Sequence, residues 1–182
     1  MSAGAHAQTA PQAPGAVADT GSVFAFNRIC YTQVPVIERI GSMAAQMAWK
    51  PLDGDDLDQF RTERPDEAVF GWDARLGERI FRIGLTQGPA SGVLAEMFPD
   101  FVDGIATSCT MVLDGQDPAD EIYAQTLALA GKEPVSANVP KDGVLTTTWA
   151  GGNDDLKVFL VLQTNAQNTG NLLNVVVLTQ AQ

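Results

Sequence analysis

Carboxylates are the main candidates for chemistry in this sequence, which has 22 Asp and Glu residues against a single His. The stretch DGDDLD at 53–58 is similar to the start of a calcium-binding loop. However, Leu57 falls where that loop needs an acidic ligand, and Arg64 falls where it needs a bidentate glutamate. We therefore predict a solvated acidic turn here rather than a metal site.

Two further acidic groups have structural explanations. Asp117 is predicted to be the N-cap of a helix, and Asp120 and Glu121 lie in its first turn, where negative charge is favourable. Asp154 and Asp155 lie in a predicted hairpin turn. A carboxylate pair of the glycosidase type stays open as an alternative among these groups, but no spacing points to one.

Histidine is nearly absent from the chain. The only one, His6, lies in an Ala/Pro/Gly-rich stretch, which leaves the rest of the chain without Ser-His-Asp or Cys-His catalysis or His-ligated zinc. No G-x-G-x-x-G or Walker loop is present. We predict no catalytic residue, no metal ligand and no cofactor. A hydrolase that uses carboxylates alone is the least favoured alternative.

The beginning of the sequence bears on the compartment. Ala5-His6-Ala7 fits the small-x-small pattern before a signal-peptidase cleavage site, but no charged region or apolar stretch precedes it. Two interpretations of residues 1–22 stand: the remnant of a signal peptide, or a disordered tail of a cytosolic protein. We favour the first, which makes the protein periplasmic or secreted.

The bonding state of the two cysteines, Cys30 and Cys109, depends on which interpretation of residues 1–22 is right. In an exported protein an even pair usually forms a disulfide bond, whereas in the cytosol two buried free thiols are expected. A redox role would need a Cys-x-x-Cys pair or a neighbouring base, and neither is visible. We predict a Cys30–Cys109 disulfide.

A wider pattern surrounds these cysteines. FNRIC at 26–30, a helix ending in AW, a middle tryptophan and then CTMVLDGQDPADEI leading into a second helix together cover most of 24–130. This pattern resembles small exported bacterial proteins with a Phe-x3-Cys…Cys framework and no established activity. The resemblance implies export and the disulfide, and nothing further.

Two helices stand out between the strands. Apolar residues at helical spacing predict one over Val34–Ala48, and Asp117, Pro118 and Gly131 bound a second. Alternating or apolar runs predict six strands. These lie at 68–74, 79–86, 104–113, 144–150, 156–164 and 172–180.

The element order is α-βββ-α-βββ. Pro35 to Pro51 and Pro118 to Pro134 have the same spacing, which indicates an internal duplication, with coincidence as the alternative. We expect an α+β fold: an antiparallel sheet of about six strands with two main helices packed on one face. Residues 23–182 would form one domain.

Composition limits the partners. The chain has 182 residues, 45% hydrophobic content and a net charge of −11, so its surface should repel nucleic acid and anionic lipid. Apolar runs are too short to span a bilayer. We expect the partner to be a protein or a small molecule and the protein itself to be a monomer or a homodimer.

Aromatic residues are the candidates for ligand contact. Trp49, Trp72 and Trp149 could line a binding site, although core packing is their more ordinary role. Met97 and Phe98 lie in a loop that either forms a lid or docking element or caps the core. We expect a non-enzymatic binding or interaction protein. The alternative is an acidic, dimeric chaperone-like or assembly protein.

Overall fold

The computed structural model of the protein describes residues 21–62, 64 and 66–180. These residues form one eight-stranded antiparallel sheet and several short helices, with 43% strand and 28% helix. Of the predicted signal-peptide remnant or disordered tail at 1–22, residues 1–20 lie outside the described residues, whereas Ser22 begins a helix. No helix among the described residues is long and apolar enough to cross a membrane.

The helices are mostly short. They are α1 (Ser22–Phe26), which continues directly into a π-helix (Asn27–Tyr31), α2 (Ile37–Gln46), α3 (Gly54–Asp58), α4 (Val93–Met97), a 3-10 helix (Pro99–Phe101) and α5 (Ala119–Ala130). The strands are β1 (Lys50–Pro51), β2 (Ala68–Leu76), β3 (Arg79–Pro89), β4 (Ile105–Val112), β5 (Ser136–Lys141), β6 (Val144–Gly152), β7 (Leu156–Asn165) and β8 (Gly170–Thr179).

The predicted fold class is wrong. The structure is mostly β, with eight strands rather than about six, and it has several short helices instead of an architecture built on two main ones. The two unexpected strands, β1 and β5, form the edges of the sheet. Almost all of their residues are exposed. They therefore lack the apolar alternation that identifies a half-buried strand, and only backbone pairing defines them.

The sheet order is β1-β2-β3-β4-β8-β7-β6-β5. Four consecutive strands thus run from each edge to the centre, where β4 pairs with β8. The α-βββ unit expected from the proline spacing is wrong, because each half of the sheet contains four strands. The apolar strand β8 occupies a central position, which its composition favours.

One face of the sheet, the helical face, packs against α1 with its π-helix, α2 and α5. Ile29, Ile40 and Ile122 from these helices are at most 1% exposed and belong to the same core as Phe81 and Val175 of the sheet. The π-helix contacts β4 and β8, and α5 contacts β7, so this core lies over the central strands and holds most of the buried apolar side chains.

The opposite face, the loop face, is covered by two connecting segments. The 52–67 segment places the Phe60 ring on Gly84 of β3, where a Cβ atom would lie 2.0 Å from that ring. The 90–104 segment buries Phe101 with Leu178 of β8. Both faces of the sheet are therefore partly covered.

The predicted disulfide is confirmed. Cys30 in the π-helix and Cys109 in β4 are bonded and both fully buried, with their Cα atoms 5.4 Å apart. The bond links the first helical segment to a central strand across 79 residues of sequence.

Candidate ligand-binding site

A cavity of about 780 Å³, partly open to solvent, lies between α1, α2 and the hairpin that joins β2 to β3. Most of its lining is apolar. The apolar side chains are those of Phe24, Ile29, Met43, Leu76, Trp49 and Phe81. A volume of roughly 300–1,000 Å³ is typical of sites that bind small organic molecules.

The first wall of the cavity is α1 with its π-helix. Val23 and Phe26 lie three residues apart and are buried in the core, which is the spacing of one helical face. Phe24 and Arg28 lie four residues apart on another face, which lines the cavity. One short segment thus contacts both the core and the cavity.

The second wall is α2. Ile40 and Ala44 pack into the core, whereas Arg39 and Met43 line the cavity. The predicted helix Val34–Ala48 is shorter in the structure, Ile37–Gln46. After its end, the backbone N–H of Trp49 donates to the carbonyl of Ala44 at 2.9 Å, which places the indole of Trp49 against the cavity.

A polar cluster fixes the beginning of α1. Arg79 of β3 pairs with Asp114 at 2.6 Å and with Asp117 at 2.8 Å, and it also donates to the Ser22 hydroxyl at 2.9 Å. The Ser22 hydroxyl in turn donates to Asp117. The Arg79 guanidinium also lies 4.8 Å from the centre of the Phe81 ring, at the cavity wall.

The electrostatics of this cluster favour the charged forms of Asp117 and Arg79. Burial by itself would raise the pKa of Asp117, but hydrogen bonds from Arg79 and Ser22 and the charge of Arg79 lower that pKa below its ordinary value of 3.8. Burial likewise opposes the charge of Arg79, yet Asp117 and Asp114 raise the pKa of its guanidinium. Each group therefore stabilises the ionised state of its partner.

This geometry changes the role predicted for Asp117. The helix α5 begins at Ala119 with Pro118 as its N-cap residue, and no side chain caps it. Asp117 faces Arg79 and Ser22 instead of the helix N–H groups. The end of α5 is as predicted, with Gly131 in the left-handed region at a φ of 67°.

Charged residues around the cavity are mostly basic. Arg28, Arg39 and Arg75 belong to the lining, against one carboxylate, that of Glu38. The guanidinium of Arg28 lies 5.7 Å from the centre of the Phe24 ring, which also lines the cavity. The lining therefore carries a net charge of +2 in a protein whose total net charge is −11.

The predicted contact residues lie apart from one another. Trp72 is half-buried and stacks on Phe70 near the β1 edge of the sheet. Trp149 is 1% exposed and contacts Tyr123, beside a smaller cavity of about 190 Å³. The large cavity is lined by Trp49 but by none of the four predicted contact residues, which are Trp72, Trp149, Met97 and Phe98. Their role in ligand contact stays a prediction.

Met97 and Phe98 lie on the loop face. Phe98 packs against Phe159 of β7 with the ring centres 5.3 Å apart, whereas Met97 is 61% exposed. The 90–104 segment buries part of its apolar surface on the sheet, as the capping interpretation expects. Neither residue faces the helices that form the cavity.

The acidic stretch at 53–58 lies in and beside α3, on the loop face. Asp56 pairs with Arg82 at 2.8 Å, and Asp58 pairs with Arg61 at 2.7 Å. Within the described residues, no group of three or more His, Cys, Asp or Glu side chains has the geometry to hold a metal ion.

Sequence reasoning missed Phe24, Arg28, Arg39 and Met43 as site residues. The signal for the first two was present: in SVFAFNRIC, Val23, Phe26 and Cys30 follow a helical spacing that leaves Phe24 and Arg28 together on another face. For Arg39 and Met43, helical periodicity gives the face but no indication of what that face contacts.

Comparison of the chain with known protein families, with curated proteins and with solved structures finds no match.

Proposed function

We propose that this protein is an exported, non-enzymatic binding protein that takes a small molecule into the large cavity between α1, α2 and the β2–β3 hairpin. The cavity is the observation that carries the proposal. A concave space of about 780 Å³ that is partly open to solvent and has mostly apolar walls matches the size and lining of sites that bind small molecules.

Two attachments hold the cavity wall in place, which supports binding to a preformed site. At one end of the α1 segment, Ser22 takes part in the cluster with Arg79 and Asp117. At the other end, Cys30 is bonded to Cys109 of the sheet. Since both ends are fixed, the segment loses little conformational freedom on binding, which favours affinity.

The chemistry of the lining supports binding rather than catalysis. Among the described residues, the lining contains a single carboxylate, Glu38, and no histidine, cysteine or lysine. Hydrolysis by carboxylates alone requires two such groups facing one substrate. Glu38 has no carboxylate partner in the lining, so a hydrolase that acts in this cavity is disfavoured.

The disulfide supports export. Such bonds persist mainly in oxidising compartments, and Cys30–Cys109 links two elements of the core. A periplasmic or secreted location therefore belongs to the proposal.

A probe-binding experiment with two matched variants tests the binding function. Ser42 and Ala45 are both exposed residues of α2, but only Ser42 lines the cavity. We expect the uncharged dye Nile red to gain fluorescence with the wild-type protein and with Ala45→Trp. Ser42→Trp places an indole in the cavity and should weaken dye binding by about tenfold or more, since each 1.4 kcal/mol changes affinity tenfold.

Circular dichroism and thermal melting would establish that both variants fold. Equal dye affinity for Ser42→Trp and Ala45→Trp, or no dye binding by the wild-type protein, would contradict the proposed function.

A further inference from the structure

We infer that the ligand of this cavity is an amphiphile with an aliphatic body and an anionic carboxylate head, of the fatty-acid class. The inference rests on the proposed function, since it names the ligand class of the same cavity. Three observations support it: the sign of the charge around the cavity, the pairing state of the arginines and the division of the lining into apolar and basic parts.

The sign of the local charge is opposite to that of the whole protein. Acidic residues exceed basic ones by eleven in the chain, whereas three arginines and one glutamate line the cavity. The excess negative charge elsewhere should repel anions from the rest of the surface. An anionic ligand is therefore favoured at this site and disfavoured at others.

The arginines that line the cavity differ from the other arginines in their ion pairing. Among the described residues, four arginines form ion pairs with carboxylates: Arg61, Arg64, Arg79 and Arg82. The other three make no ion pair with any described residue, and all three line the cavity: Arg28, Arg39 and Arg75. A guanidinium group presents a planar set of N–H donors that matches a carboxylate, so these arginines offer the donors that an anionic head would use.

The apolar part of the lining defines the rest of the ligand. Ile29, Trp49 and Phe81 are at most 6% exposed and form the buried side of the cavity. Arg28 and Arg39 are exposed residues and lie on its solvent side. An amphiphile would bury its aliphatic chain against the apolar residues. Its charged head would lie at the arginines, where the head and the guanidinium groups remain partly solvated.

Three ligands of equal chain length test the inference on the full chain. Dodecanoate and dodecyltrimethylammonium below their micelle concentrations, and dodecanol below its solubility limit, would compete with Nile red for the wild-type protein. We expect dodecanoate to bind roughly threefold to tenfold more tightly than dodecanol, because ion pairs at exposed arginines contribute modestly and are screened by solvent. The cationic ligand should bind most weakly.

Two variants connect the preference to the arginines. Arg28→Gln combined with Arg39→Gln and Arg75→Gln should reduce the affinity for dodecanoate to that for dodecanol, while dodecanol binding changes little. Arg61→Gln is the matched control, because Arg61 pairs with Asp58 near α3 and does not line the cavity. It should keep the full preference for dodecanoate.

The outcomes separate the two proposals. If the wild-type protein binds dodecanol as tightly as dodecanoate, or if the triple variant keeps the preference, the anionic class is wrong and the binding function stands. If the full chain binds no probe, the proposed function is wrong as well. Binding that appears only after removal of residues 1–20 would make that segment the occupant and would also overturn the inference.

Discussion

Asp117 connects three segments that are distant in the sequence. Its carboxylate accepts hydrogen bonds from Arg79 of β3 and from Ser22 at the beginning of α1, while its own backbone immediately precedes α5. Because Ser22 is 1% exposed and the Asp117 side chain only 20% exposed, the loss of one partner would leave polar groups poorly solvated. The position of α1, and with it one cavity wall, depends on this cluster.

The first prediction is that Asp117→Asn lowers the free energy of unfolding by about 1–3 kcal/mol at pH 7, since the charged partner of Arg79 and Ser22 is lost. Asp120→Asn is the control, because Asp120 is exposed and its loss affects only the charge in the first turn of α5. Chemical denaturation measures the free energy of unfolding of both variants. Equal stability of Asp117→Asn and the wild-type protein would contradict the assigned role.

The stability difference between the wild type and Asp117→Asn should depend on pH, and the sign of that dependence follows from the pKa of Asp117. The pKa of Asp117 is lower in the folded protein than its ordinary value of 3.8, so its contribution is complete above that value. The contribution is lost as the pH falls below 3.8 through the folded-state pKa. We expect the stability difference between wild type and Asp117→Asn to be constant near neutrality and to disappear under acid conditions. A difference that persists there would contradict the interpretation.

At the scale of elements, the 52–67 segment shows how a connection can cover a sheet face. Its contact with the sheet depends on the absence of side chains at two strand positions. Gly84 leaves room for the Phe60 ring, and Gly71 leaves room for Leu52 and Leu57. Arg64 then donates to the hydroxyl of Thr86 at 2.9 Å and to the carbonyl of Ala106 at 3.1 Å. The segment is therefore held by apolar and polar contacts together.

We predict that Gly84→Ala displaces Phe60 and lowers the free energy of unfolding by about 1–3 kcal/mol, the usual cost of overpacking. Trypsin should also cleave after Arg61 faster than in the wild type, because the displaced segment opens more often.

Gly41→Ala serves as the control for this variant. A Cβ atom at Gly41 of α2 meets nothing within 4 Å. The substitution should therefore stabilise the helix by up to about 1 kcal/mol. Similar stability and cleavage rates for the two alanine variants would contradict the packing argument.

Across the whole molecule, the disulfide joins the first helical segment to the centre of the sheet. The chain-entropy argument gives about 4–5 kcal/mol for a closed loop of this length. We predict that Cys30→Ser combined with Cys109→Ser lowers the free energy of unfolding by about that amount and also weakens Nile red binding, since α1 loses one of its two attachments.

The wild-type protein in reductant is the matched comparison. It should approach the stability of the double variant, which itself should not respond to reductant. If denaturation of the oxidised protein and of the double variant coincides, the disulfide does not stabilise the fold.

Local patterns explain which elements could be predicted. The strands β2, β3, β4, β6, β7 and β8 and the helices α2 and α5 carry apolar periodicity and turn residues such as Gly77 and Gly131, which lie in the left-handed region. The edge strand β5 could not be predicted, because its residues SANVPK are almost all exposed and contain Pro140. Its strand conformation comes from pairing with β6.

The candidate site was less predictable than the fold. Tryptophan content pointed to Trp49, which lines the cavity, but equally to Trp72 and Trp149, which do not. A side chain's type shows that it can contact a ligand, whereas its surroundings decide whether it does.

From the sequence came the one possible cysteine pair, the acidic character of the surface and most of the regular elements. These depend on residue counts and on short-range periodicity, and two cysteines allow only one intramolecular pair. The tertiary structure alone decided the eight-strand order and the cavity. The cavity is formed by residues 21–29, 38–49 and 75–81, and only packing brings these segments together.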